Sequence, residues 1–187
     1  MGIASRIDEI ARQNSGIDTL VHCVGGGFPP APFEDKKLEV IQSSVSTHLM
    51  SAMYTVHATL PHLRKGGGGS ILLMASDAAK SPTPGEAVIG AAKAGVAMFA
   101  RTLSLEVSRH AIRVNCLTPS IVRGTETYDR LMADPFSRKL FAKAEGRARL
   151  GVVTPQDIVP LAMFLLGPGA KKITGQVVSV NGGISAA

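Results

Sequence analysis

Three side chains in this sequence have the types and spacing to work on a small oxygen-bearing molecule. Ser76 closes an apolar run, and Lys93 lies on a helix-patterned segment, Ile89-Gly90-Ala91-Ala92-Lys93, whose first residue is thirteen positions after Ser76. A hydroxyl and an ammonium meeting in one cavity can orient and hold a polar ligand. His48 adds an imidazole, which moves protons near neutrality. It reads either as a proton carrier facing that cavity or as a hydrogen-bonded histidine packed among Val45, Leu49 and Ala52. Ile89 has no ionisable group, so it can neither give nor take a proton. His22, Cys23 and His48 lack the Cys-x-x-Cys or His-x-x-x-His spacing of a metal site, and none is expected.

These groups need a scaffold, and helical and strand patterns alternate along the chain, which argues for a parallel sheet covered by helices. A short helix is expected over Ile3–Arg12, with Ile7, Ile10 and Ala11 on its apolar side. Thr19–Val24 reads as a strand buried on both faces. After Gly25-Gly26-Gly27 and Pro29-Pro30, a long helix is expected from about Lys37 to His62, with Ile41, Val45, Leu49, Met53, Val56 and Leu60 as its core-facing stripe. Further strands are expected at Ser70–Met74, Ile112–Leu117 and Val177–Val180, with a helix over about Glu86–Arg109. A last helix over Pro155–Leu166 has Thr154 as its cap. Residues 120–150 are polar and basic and read as a flap over a pocket. Right-handed crossovers lay the four strands in sequential order. Cys23 and Cys116 are then two strand spacings apart, beyond disulfide reach, and read as buried free thiols.

The chain has 187 residues, 45% of them apolar and 18% charged, which is one globular domain's worth. The net charge of +6 gathers at Arg138, Lys139, Lys143, Arg147 and Arg149. With no aromatic residues interleaved among them, nucleic acid is not expected, while a phosphate- or carboxylate-bearing small ligand is compatible. No apolar stretch reads as a membrane span and no secretory signal is evident, so a cytoplasmic location is expected.

Several motifs fall in the order of a known family. Asp18-Thr-Leu-Val-His-Cys-Val-Gly25, Leu60-Pro61, Gly69-Ser-Ile-Leu-Leu-Met-Ala-Ser76, Ile112-Arg-Val-Asn-Cys-Leu-Thr-Pro119 and Ile173-Thr-Gly-Gln-Val-Val-Ser-Val-Asn-Gly-Gly183 together resemble the short-chain dehydrogenase/reductase family. The resemblance implies an α/β fold, a partial Rossmann-like doubly wound parallel sheet of about four strands forming a single domain over residues 1–187. It also implies an NAD- or NADP-linked oxidoreductase acting on a small molecule. Ser76 would orient the substrate oxygen, Lys93 would hold the nicotinamide ribose, and Gly25 and Ile121 would line the cofactor. Homo-oligomers would form through the two long helices, with Met53, Leu60, Phe99 and Leu103 as the contact.

The site departs from the family pattern. Ile89 stands where the family has Tyr, His48 where it has Asn, and Ser120 where it has Gly. A degenerate active site is therefore expected, in which His48 or Tyr128 would have to supply the proton. The alternatives are a non-catalytic binding or oligomer partner, and a non-redox lyase or isomerase using His48 with Ser76. No Gly-x-Gly-x-x-Gly turn precedes a helix here, and Gly66–Gly69 reads as a flexible turn. By the resemblance the chain begins inside the helix before the family's fourth strand, which leaves Leu20–Val24 as an exposed apolar edge.

Overall fold

The computed structural model describes residues 2–186. Four parallel strands form one sheet: β1 (Thr19–His22), β2 (Gly69–Met74), β3 (Ile112–Pro119) and β4 (Val177–Val180), in that spatial order. Each of the first three strands is followed by helical structure that returns the chain for the next parallel pairing, as right-handed crossovers require. The register places Val21 beside Leu72 and Leu73 beside Cys116.

Because side chains alternate along a strand, β2 feeds two cores at once. Ile71 and Leu73 join Val114 and Cys116 against the helices α3 (Ser51–Lys65) and α4 (Ala87–Val107). Leu72 faces the other way, packing with Leu117, Ile158 and Leu165 under α7 (Pro155–Leu166). Asp157 closes the first turn of α7, its Oδ2 accepting from the Thr154 backbone N–H at 2.7 Å and hydroxyl at 2.8 Å. Arg113 and Asn115 tie β3 to the segment after α7. The Arg113 guanidinium donates to the carbonyls of Leu165, Leu166 and Gly167, and Asn115 donates to Ile173 O at 3.0 Å.

The long helix before β2 differs from the expected one in two ways. It consists of α2 (Leu38–Val45), a π-helical turn at Ser46–Met50, and α3, which runs through Pro61 to Lys65. Its buried positions are Ser44, His48, Ala52, Val56, Thr59 and Leu63, so of the expected stripe Val56 is buried and Leu49 and Leu60 pack against the core, while the rest is displaced. Ile41, Val45, Leu49 and Met53 are only half-buried. Leu49 lies instead against α4, where a Cβ added to Gly95 would sit 3.0 Å from its Cδ2. The sequence pattern marks the apolar side chains, but the side facing the sheet also carries small and polar ones.

Other corrections follow from position in the sheet. β1 is an outer strand, so Val21 and Val24 are exposed and Cys23 is an exposed thiol, while Cys116, on inner strand β3, is buried. Both cysteines are free. Within α1 (Ile3–Gln13) only Ala11 is buried, and Ile10 is exposed. The turn at Gly66–Gly69 is close-packed. A Cβ on Gly68 would come within 2.7 Å of Ala111 O, and one on Gly69 would collide with the Asp18 carbonyl, both at positive φ that glycine adopts freely.

By length and mean apolarity the span Ala87–His110 could cross a membrane, although Lys93, Arg101 and Glu106 interrupt it, so no uninterrupted apolar stretch of that length occurs, as expected. Its apolarity has a use in the core, where Val96, Ala100 and Val107 are buried against the sheet. Between β3 and α7 the expected flap region forms two capped helices. Thr125 accepts from Tyr128 N–H at the start of α5 (Glu126–Ala133), and Asp134 from Ser137 N–H at the start of α6 (Pro135–Glu145).

Candidate functional site

Beyond the C-terminal ends of β1, β2 and β3 lies a cavity of about 1200 Å³. Openings at strand C-termini are where open α/β sheets bind ligands. Ser76, Lys93, His48, Gly25 and Ile121 all line it, together with Ile89. Its remaining wall is mostly apolar, with Phe28 and Pro30 from the loop after β1 and Leu131, Leu140 and Phe141 from α5 and α6.

Lys93 is buried within α4, and its Nζ donates to Met74 O at 3.0 Å and to Val24 O at 3.4 Å. One side chain thereby ties the ends of β1 and β2 together. Burial lowers its pKa. Two of the three ammonium hydrogens are committed, leaving one for a ligand. Gly25 lies beside both groups, where a Cβ would make ordinary contact at 3.4 Å with Lys93 Nζ and His48 Nδ1.

His48 occupies the π-helical turn, a distortion frequent at functional sites. It is 3% exposed, and among the described residues neither ring nitrogen has a hydrogen-bond partner. The ring meets Phe28 edge-on, with centroids 5.8 Å apart. Burial, and secondarily the Lys93 charge, push its pKa down to about 4. Of the two sequence readings, packing is right about burial and wrong about the hydrogen bond. At neutral pH this imidazole is uncharged, with one N–H to donate and one nitrogen to accept.

Ser76 follows β2, where its Oγ accepts from Ala78 N–H at 3.3 Å and caps the short 3₁₀ turn Asp77–Ala79. The Tyr128 hydroxyl borders the cavity but donates to Glu145 Oε1 at 2.9 Å, and Arg123 holds the same carboxylate oxygen at 3.0 Å. His22 is buried and shares a hydrogen bond with Ser51 Oγ at 3.2 Å, away from the cavity lining. Tyr54 is exposed on α3. Among the described residues no group of three or more His, Cys, Asp or Glu gathers as a metal site.

Two acidic residues were not singled out from sequence. Glu86, the residue before α4, lines the cavity. Burial first, and then the charge of Asp77, push its carboxyl up to about 7, against a hydrogen bond from Thr83 and the charge of Lys36, which lower it. The available signal was spacing, because Glu86 lies three residues before Ile89 and so on the same side of the helix. Asp77 is buried and accepts from Asn181 Nδ2 at 3.0 Å and Ser185 Oγ at 2.7 Å, pinning the chain after β4 beside Ser76.

A parallel sheet with its polar groups gathered beyond the strand ends defines a doubly wound α/β protein with a cavity at the position where such sheets bind ligands. A family model described as enoyl-(acyl carrier protein) reductase matches residues 2–185, and the chain belongs to the short-chain dehydrogenase/reductase family. Similar proteins include 3-oxoacyl-(acyl-carrier-protein) reductase FabG of Chlamydia pneumoniae, 35% identical over 147 residues, covering 77% of this chain and 56% of that protein. Human dehydrogenase/reductase SDR family member 4 is 30% identical, covering 92% of this chain and 61% of its own length. The chain thus spans roughly three-fifths of the curated relatives it matches. Carveol dehydrogenase from Mycobacterium avium, solved in complex with NAD, superposes with a TM-score of 0.86 at 27% identity, covering 97% of this chain and 70% of that structure. A 7α-hydroxysteroid dehydrogenase solved with NADH and a 7-oxo bile acid gives a TM-score of 0.87 at 25% identity, covering 97% and 69%.

Proposed function

We propose that this chain carries the substrate and nicotinamide side of an NAD(P)-linked oxidoreductase for small molecules, altered at its proton-transfer step. The observation behind this reading is that Ser76, Lys93 and Ile89 border one cavity, with an isoleucine where the family has a phenol. The residues present suit half of a dinucleotide. The uncommitted hydrogen on Lys93, beside Gly25, suits a ribose, whereas this sequence has no glycine-rich turn opening a helix to hold a pyrophosphate. Lys93, Gly25 and Ile121 would hold the nicotinamide side, and the bound cofactor would supply or accept hydride.

The remaining steps belong to side chains of this chain. The Ser76 hydroxyl donates to a substrate oxygen and positions it. Ile89 and Phe28 exclude water but move no proton. Glu86, with its carboxyl near 7, is the cavity acid matched to neutral pH, and it delivers the proton that a phenol would otherwise give.

Fluorescence titration of the full chain with reduced nicotinamide mononucleotide and with NADH tests the reading. Saturable quenching by the mononucleotide is expected, because it needs no pyrophosphate cradle. Ile89→Tyr should raise turnover by about 10²-fold, the lower end of what a placed acid contributes. No quenching by either nucleotide, in the parent chain and in Ile89→Tyr, would overturn it.

The proposal includes pairing of two copies through the long helices. Among the named contact residues Leu103 is buried, and Leu60 and Phe99 pack against the core. The exposed apolar side chains there are Tyr54, Met98 and Leu105. Light scattering that finds a strict monomer would remove this part.

A further inference from the structure

Four cations border the mouth of the cavity: Arg130 on α5, Lys139 and Lys143 on α6, and Arg147 in the turn that closes α6. Lys139 and Lys143 are four residues apart, about 6 Å along one side of the helix. Among the described residues Lys139, Lys143 and Arg147 have no carboxylate within ion-pair range, and Arg130 has only Glu126, at 3.9 Å. Glu86, which also lines the cavity, pairs with none of the four, and the other nearby acids have partners of their own. Asp134 accepts from the Ser137 N–H and hydroxyl, Asp77 from Asn181 and Ser185, and Glu145 from Arg123 and Tyr128. The cations are exposed, while the wall behind them is apolar, with Leu131, Leu140 and Phe141 from the same two helices. Arg130 also reaches back across the entrance, where a Cβ on Gly26 would lie 3.4 Å from its Nη2.

Like charges gathered at the mouth of an apolar cavity, three of them in no ion pair, raise the local concentration of the opposite charge. We propose that the substrate is an elongated apolar molecule ending in a single anionic group, phosphate or carboxylate, with the body against Leu131, Leu140 and Phe141 and the anion held by Lys139, Lys143 and Arg147. The inference rests on reading the cavity as a substrate site. It assigns the class of molecule, which the proton-transfer residues leave open.

Calorimetric titration of the full chain with decanoate, decyl phosphate and decan-1-ol, each kept monomeric, tests it without cofactor or turnover. At least one of the two anions should bind about ten-fold more tightly than the alcohol at low salt, the scale of a few exposed charge pairs acting on one head group. The advantage should shrink as salt is added. It should also vanish in the triple variant Lys139→Gln, Lys143→Gln, Arg147→Gln, whose altered positions are all exposed and whose fold is checked by circular dichroism. Decyl phosphate binding well above decanoate identifies a phosphoryl end, and equal binding identifies anionic charge as the recognised property. Equal binding of the alcohol, no binding of any probe, or an anion advantage that survives in the triple variant would each overturn the proposal. Because reduced nicotinamide mononucleotide is titrated separately, this failure is distinguishable from failure of the redox reading.

Discussion

Ile89 had the plainest meaning in the sequence, since a side chain without a titratable group is silent in proton transfer whatever surrounds it. His48 and Glu86 were less legible because their chemistry is set by surroundings that spacing does not encode. Both make predictions in pH. His48 has a folded-state value of about 4, below its ordinary 6.5, so the unfolded chain takes up the proton first as the pH falls. Its contribution to stability is complete above about 6.5 and is lost as the pH falls toward 4. Glu86 behaves oppositely. Its value rises from 4.5 to about 7, so its contribution is complete below 4.5 and is lost as the pH rises through 7. Urea unfolding across this range should show His48→Asn flattening the acid limb. Glu86→Gln should match the parent at about pH 4 and exceed it by roughly 1–2 kcal/mol at about pH 8, discounted for partial solvation. Parallel curves for Glu86→Gln and the parent would show that the carboxyl is not buried as described.

Strand order, the limits of β4 and the capped start of α7 were legible in sequence because each depends on local pattern or on the handedness of a crossover. The side of the long helix that faces the sheet was not. Ser44, His48 and Thr59 take buried places that apolar periodicity assigns to their neighbours, and the π-helical turn at Ser46–Met50 has no marker residue. Arg113 shows how a family motif acquires a physical reason only with structure. In sequence it is a charged residue inside an apolar strand, and in the fold it satisfies carbonyls left open where α7 ends. Arg113→Leu strands those acceptors and should cost about 2–4 kcal/mol in denaturant unfolding with an unchanged slope. A cost below about 0.5 kcal/mol would mean that water replaces the guanidinium without penalty.

For the molecule as a whole, the outer strand governs behaviour in solution. β1 has one neighbour, and Val21 and Val24 are exposed along it, the condition that invites pairing between chains. Val21→Lys should suppress concentration-dependent association beyond the helix-paired dimer in light scattering while changing stability by no more than about 0.5 kcal/mol. Unchanged association would move the sticky surface elsewhere, to the side chains Tyr54, Met98 and Leu105.

The ammonium clip between Val24 and Met74 sets the direction in which that outer strand can peel away. One end of β1 is stapled from inside the molecule, whereas the Thr19 end has only a long hydroxyl contact of 3.5 Å to Ser70 beyond its backbone ladder. Fraying should therefore begin at Thr19 and travel toward the pocket. In hydrogen exchange, the amides nearest the cavity would be the last of the edge to trade their protons for deuterium.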